Sequence, residues 1–366
     1  MKRIYKFFVF AGLALILILS MFYYHTEVFR FTASKPFEGK FIYNPYQGIG
    51  GNYLKANFHA HSLAWGGLTN GHQSPFEVID FYQQKGYDIA CISNYQQIFK
   101  HYPQEKDHIR VYEHGYNIKK THQIVFNAPG VKFIDFPLFQ TRDHKQQIIK
   151  KLKQNGGLVS LAHPGLLNGY TLEDMKYLRG YDFIEVLNGN RVFTEHWDAA
   201  LTAGNLVWLT AGDDTHDIEK DNSAFRAWNM IAKKEAIPVL NVMKQGAFYG
   251  VKGKNAIDEN FLLASETDSC TFFFILKHKA DKVKLIRQGG ETVRELTDTD
   301  YFSYSFQPED RYIRAEIVTN GSTIFLNPLV RSQSNEKINF SAKFPEMDIV
   351  KTMLVRIFIL FFHLFL

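Results

Sequence analysis

Cysteine is nearly absent: the 366 residues hold two, Cys91 and Cys270, far apart and in no CxxC or other thiolate spacing. This argues against a disulfide framework and against a thiolate zinc site. Cys91 lies inside an apolar run and reads as a buried, inert thiol. Long blocks of like charge are missing as well. The formal net charge is +5, and no Lys/Arg cluster is interleaved with aromatics, so nucleic acid is not an expected partner. There are no internal repeats and no long low-complexity tract. What remains is apolar mass. At 46% apolar residues the chain can bury a sizeable core, and at this length one large domain plus a small one fits.

Residues 7–24 form an uncharged, almost wholly apolar run, about 27 Å long as a helix and close to the hydrocarbon thickness of a bilayer. Lys2, Arg3 and Lys6 precede it, which orients the N-terminus to the cytoplasm and the bulk of the chain to the extracytoplasmic side. The run ends in Met21-Phe22-Tyr23-Tyr24 with no A-x-A site, so an uncleaved single-pass anchor in the lipid bilayer is expected rather than a signal peptide. Residues 349–366 are apolar but broken by Lys351 and Arg356; an interfacial helix is expected, with packing beside the first helix as the alternative.

Between the ends, residues 53–250 alternate short apolar runs with helical patterns. Strands are expected at 53–58, 87–93, 123–128, 158–162, 183–187, 206–211 and 225–231. Ser74-Pro75-Phe76-Glu77 supplies an N-cap, a first-turn proline and a capping-box Glu, and Gly86 closes that helix. A second helix is expected to start at Asp143 and to end at Gly156-Gly157. Strand, helix, strand repetition implies parallel strands with helices outside, and seven units favour a barrel. After about residue 255 strands follow one another without helices, at 271–277, 282–287, 301–306, 312–319 and 322–326, with Asn320-Gly321 as a hairpin turn. That texture predicts a small antiparallel sandwich.

Metal-binding side chains recur at the ends of the expected strands. His59 and His61 follow the first one, and strand alternation puts both imidazoles on one face. Alone the pair is weak, since fourteen histidines in 366 residues give about half an H-x-H by chance. Asp214 and His216 repeat the geometry in Ala-Gly-Asp-Asp-Thr-His; His163 ends another strand, His122 begins one, and Glu113 stands nine residues before His122. Each also has a bland reading, as a turn residue, a core histidine or a surface carboxylate. The conjunction differs, because a β/α barrel gathers its strand ends on one face. Arg191, near Asn188 at such an end, is the favoured substrate-binding cation, with Arg142 and Arg226 as alternatives.

The order Asn57-Phe58-His59-Ala60-His61-Ser62, Ser74-Pro75, Tyr87 to Ser93, Glu113, His122, Leu161-Ala162-His163-Pro164-Gly165, Ile184-Glu185-Val186-Leu187-Asn188 and Ala211-Gly212-Asp213-Asp214-Thr215-His216 resembles the polymerase and histidinol phosphatase (PHP) superfamily, over residues 53–250. The resemblance implies a distorted seven-unit β/α barrel followed by the small β-sandwich, with an N-terminal transmembrane helix. The segments are then 1–28 anchor, 29–254 barrel, 255–345 sandwich and 346–366 hydrophobic tail. It implies one divalent metal on His59, His61, Glu113 and Asp214 and a second on Glu113, His122 and His163, with zinc, manganese or iron as the ions. A third metal in that family uses a Thr-Asp-His-Asn motif and the last histidine, here His216. This chain reads Ser93-Asn94-Tyr95-Gln96 instead, so a third ion lacks its partner unless His72 or His101 replaces it. The implied activity is hydrolysis of a phosphoester, small-molecule or polymer-linked, by a water that two metals activate. Asp214, His216 and Tyr95 would act in catalysis, and Asn188 and Arg191 would contact substrate. An amidohydrolase or deacetylase is the alternative, as is a surface binding module without catalysis, for which Asn94 and Tyr95 speak.

Overall fold

The computed structural model describes residues 2–101, 109–220, 222–253, 261–334 and 343–365; the expected boundary at 254/255 falls outside them. The fold is mixed α/β, with two large sheets and, among the described residues, seven α-helices. One sheet runs in the order Trp208–Gly212, Phe183–Asn188, Leu158–Leu161, Gln123–Phe126, Val111–His114, with Arg191–Val192 beside Phe183–Asn188. The first three strands are mutually parallel, as expected. Gln123–Phe126 instead lies antiparallel to both its neighbours; no helix separates it from Val111–His114, while the helix Arg142–Gln154 lies between it and Leu158–Leu161.

The second sheet has eleven strands. Tyr53–Asn57 pairs in parallel with Ile89–Ala90 and antiparallel with Ala227–Ala232, which pairs with Phe248–Lys252. The C-terminal strands are antiparallel, as expected, and the Asn320-Gly321 hairpin is formed with positive φ at both residues. They do not stand apart, however: Ser322–Leu326 pairs with Phe248–Lys252 and extends the same sheet. This covers an edge that would otherwise expose unpaired backbone groups. Neither sheet closes on itself. Two isolated parallel bridges, Ala60 with Thr215 and Tyr95 with Glu113, link one sheet to the other next to the histidine-bearing segments.

Local chemistry explains the helices. Ser74 Oγ accepts from Glu77 N at 3.3 Å while Glu77 Oε2 accepts from Ser74 N at 2.7 Å, a reciprocal cap worth about 1 kcal/mol. The next helix is Arg142–Gln154, one residue earlier than expected. Thr141 is its N-cap and His144, in place of the usual Glu or Gln, reaches back to the Thr141 N–H at 3.2 Å. Its Ile148, Ile149 and Leu152 are fully buried, each worth roughly 1.5–3 kcal/mol of transfer free energy.

The N-terminal helix Lys2–Ser20 continues as a 3₁₀ turn, Met21–His25; the span Ile4–His25, 22 residues at mean hydropathy 2.3, is long and apolar enough to cross a membrane. Tyr23 fixes its base, donating its hydroxyl to Phe139 O at 2.7 Å and accepting from Phe139 N. The tail forms the helix Ile349–Phe365 and lies beside that base: His363 Nε2 is 2.6 Å from Ser20 Oγ, and Arg356 Nε donates to Thr26 O at 2.9 Å.

Candidate metal centre

The first two ligands follow from strand alternation. His59 and His61 leave the strand Tyr53–Asn57 on one face, with their Nε2 atoms 3.3 Å apart. Asn57 Oδ1 accepts from His59 N, and the backbone ladder continues through Asp214 N to His59 O and His61 N to Thr215 O, at 2.8 and 2.9 Å. That ladder brings Asp214 over the histidines: its Oδ1 is 3.2 Å from His59 Nε2 and 3.4 Å from His61 Nε2. Asp214 (φ +52°) and His163 (φ +28°) hold left-handed backbone conformations, which side-chain-bearing residues adopt at a cost of about 1–3 kcal/mol and which concentrate at functional sites. Gly212 is required for closeness, since a Cβ there would lie 2.5 Å from His59 Cβ.

Glu113, fully buried on the strand Val111–His114, stands between two ligand groups. Its Oε2 is 3.0 Å from His61 Nε2 and 3.5 Å from His59 Nε2. Its Oε1 is 2.7 Å from His122 Nδ1 and 3.1 Å from His163 Nε2. His59, His61, Glu113 and Asp214 thus offer one set of ligand atoms, and Glu113, His122 and His163 a second. A tetrahedral ion with ligands at about 2.0–2.2 Å holds them about 3.3–3.6 Å apart, close to the spacings here. Glu113 Oε2 and Asp214 Oδ1 are buried with no hydrogen-bond partner. Unmet acceptors of this kind cost roughly 1–3 kcal/mol each or more when charged, and a cation between the two carboxylates would satisfy them. The residues therefore fit one or more metal ions.

The electrostatics point the same way. Burial alone would push His59 down, yet the carboxylates of Glu185, Asp214 and Glu113 hold it well above the ordinary histidine value. Burial would push Glu113 and Asp214 up. His122 and His59 against Glu113, and His59 and His61 against Asp214, hold both well below the usual carboxylate range. The cluster thus keeps its acids ionised beside its histidines.

Glu185 joins the cluster although the ligand pattern alone does not reveal it. Its Oε1 lies 2.7 Å from His59 Nδ1, and its Oε2 accepts from His163 N at 2.8 Å and Asn188 Nδ2 at 3.1 Å. It fixes the tautomer that leaves His59 Nε2 free to ligate, as supporting carboxylates do in metal sites. Its one signal in the sequence is an acid inside an otherwise apolar strand, every residue of which is buried.

His216 lies outside both ligand groups. Its ring stacks on His61 with centroids 4.2 Å apart, its Nδ1 donates to Asp214 O at 3.0 Å, and its Nε2 is 3.3 Å from the Tyr95 hydroxyl. Tyr95 in turn stacks on His61 at 4.4 Å. Asn94 bonds Ser62 through both ends of its amide, so neither it nor Tyr95 offers a third ligand set. His72 is exposed and touches His216 only through backbone, and His101 is exposed beside Phe99; neither belongs to the two ligand groups. Asn188 is buried, its amide bonding Glu185 and Asp214 and its Oδ1 accepting from Arg191. Arg142 pairs with Asp174, and Arg226 Nε donates to Asn222 O.

A cavity of about 440 Å³ opens above the cluster, lined by Asn70, Tyr95, Lys120, His163, Leu166, Asn190, Arg191, Asp214, His216, Asn222 and Ser223. Arg191 is there as expected, and Lys120, which sequence reasoning passed over, reaches over the Tyr95 ring at 5.6 Å. A larger cavity of about 850 Å³ beside the helix Thr194–Thr202 contains neither ligand group, and its Arg314 is already paired with Asp198 and Glu316. The smaller cavity is therefore the one that adjoins the ligand groups. No protein-family model matches the chain, and no curated protein matches it.

Proposed function

We propose that the protein is a membrane-anchored, metal-dependent phosphoester hydrolase of the PHP type, holding two divalent ions across Glu113. The observation that carries this is the Glu113 carboxylate, which turns one oxygen to each of two histidine groups. The two interstrand bridges at Ala60–Thr215 and Tyr95–Glu113 support reading the paired sheets as a distorted β/α barrel. The apolar N-terminal span, with basic residues before it, supports an anchor that leaves the site on the extracytoplasmic side.

When bound, such an ion pair polarises a phosphoryl oxygen and lowers the pKa of water. The chain's own residues supply the rest. His216 Nδ1 donates to a backbone carbonyl, so its Nε2 is an acceptor and Tyr95 O–H is the donor. Burial, with Glu113 and Asp214 nearby, raises the Tyr95 phenol well above its ordinary value and keeps it protonated. Burial and His61 push His216 down to about 4, which keeps it neutral near pH 7. In turnover the one Tyr95 hydroxyl proton, held by His216 Nε2 in the resting site, swings to the leaving oxygen, and His216 orients the hydroxyl for that transfer. Arg191 and Lys120, on the cavity wall, bind phosphoryl oxygens. The test is elemental analysis of the purified full chain and a nitrophenyl phosphate assay with added manganese. Metal binding accompanied by turnover is expected; bound metal with no phosphatase or phosphodiesterase turnover would refute the assignment.

A further inference from the structure

Exposed apolar side chains stand within two residues of several residues that line the cavity. Three loops around it each pair a lining residue with an exposed apolar neighbour: Asn70 with Leu68, 89% exposed; Lys120 with Ile118, 65% exposed; and Leu166 with Leu167, 57% exposed. A mouth that only admits soluble substrates has no use for such a rim, and clustered exposed apolar groups mark interaction surfaces. Leu167 and Trp65, a fourth exposed member, both hold left-handed backbone (φ +47° and +52°), and Trp65 Nε1 donates to Tyr95 O at 2.7 Å, so the rim is tied to the site.

The rim is also continuous with the apolar N-terminal helix. Tyr116, in the loop that carries Ile118 and Lys120, sets its ring against Phe22 at 6.2 Å. Tyr23 holds the base of the helix on Leu138 and Phe139, next to Pro137, whose carbonyl accepts from Ile118 N at 3.1 Å. Lys120 and Arg191 line the cavity together with His163 and Asp214 of the candidate ligand groups.

We propose that this rim dips into the bilayer surface and that the phosphoester taken up by the site is the headgroup of a membrane phospholipid. The proposal rests on the hydrolase and anchor readings above. The apolar rim enters the interfacial region while Lys120 and Arg191 receive the headgroup phosphate. Water adds to phosphorus and one P–O ester bond breaks. Tyr95 gives its proton to the departing alcohol oxygen, and the proton lost by the attacking water returns to Tyr95 by way of His216.

The test uses the full chain reconstituted with manganese in phosphatidylcholine vesicles that contain phosphatidic acid. Trp65 is the exposed tryptophan, Trp197, Trp208 and Trp228 being buried, so the difference between wild type and Trp65→Phe isolates its fluorescence. Brominated phosphatidylcholine should quench that difference signal, and phosphate should be released faster from the lipid than from soluble glycerol phosphate. Leu68→Ser and Ile118→Ser should lower the ratio of lipid to soluble rate by about ten-fold. Turnover of glycerol phosphate without quenching overturns this proposal and leaves the hydrolase reading standing. Quenching without turnover of either compound overturns the hydrolase reading and the lipid substrate with it.

Discussion

Replacing Glu113 by Gln removes the one side chain common to both ligand groups while nearly preserving its volume. In the wild-type chain each ion supplied at about a hundred times its dissociation constant stabilises the folded state by about 2.7 kcal/mol, so two contribute about 5 kcal/mol. With an unfolding entropy of roughly 2.1 cal/mol/K per residue over 366 residues, this corresponds to a rise in Tm of about 7 °C. Glu113→Gln takes away the carboxylate that faces the His122 and His163 rings and one of the two at His61, so the increment should fall below about 2 °C. The assay is differential scanning fluorimetry in detergent, after chelation and again after adding manganese or zinc. The reasoning is refuted if the wild-type Tm does not respond to metal, or if Glu113→Gln responds equally. Either result would make the cluster a hydrogen-bonded polar core.

Three further outcomes follow from the same geometry. Tyr95→Phe, which deletes the hydroxyl but keeps the ring on His61, should lower kcat by about 100-fold with little change in KM; steady-state kinetics on nitrophenyl phosphate checks it. Asp198→Ala should cost about 3–5 kcal/mol in a denaturant melt, because Arg314 and the Tyr312 hydroxyl, both buried, lose the carboxylate that ties the C-terminal strands to the helix Thr194–Thr202. His144 is pushed down to about 4 by burial. Its Nδ1 accepts from Thr141 N, and Thr26 gives its hydroxyl proton to Tyr23 O, so Nε2–H points to Thr26 and the ring is neutral. A second proton binds the unfolded chain below its ordinary value of about 6.5 but the folded chain only near 4, so stability is full above pH 6.5 and falls between there and pH 4. The loss approaches ~3 kcal/mol, and His144→Phe should flatten that part of a Tm-against-pH curve.

Part of the candidate ligand set was legible because alternation is a property of short segments: His59 and His61 can be placed on one face without tertiary information, whereas the same spacing brings Asp214 into a ligand group and leaves His216 outside it. Bridging by Glu113 was reachable only through the family resemblance. Its strand is four residues long, holds Glu and His in a wholly buried run, and shows neither alternation nor a turn signal. The antiparallel turn from that strand to Gln123–Phe126 was hidden for the same reason, as was Phe248–Lys252, which exists as a strand by virtue of partners on both sides. Lys120 escaped notice because a single lysine in a loop carries no pattern; its left-handed backbone (φ +56°) and its place over Tyr95 emerge only once the chain is folded. The helix caps, by contrast, are local: Ser74 and Glu77 form the expected box, and the second helix starts one residue before Asp143.

Anomalous diffraction from crystals grown with manganese bears most directly on the Glu113-bridged pair. Two peaks about 3.5–4 Å apart are expected, one among His59, His61 and Asp214 and one between His122 and His163, with a Glu113 oxygen on each. Density that places no ion there, or an ion that leaves Glu113 uncoordinated, would contradict the account.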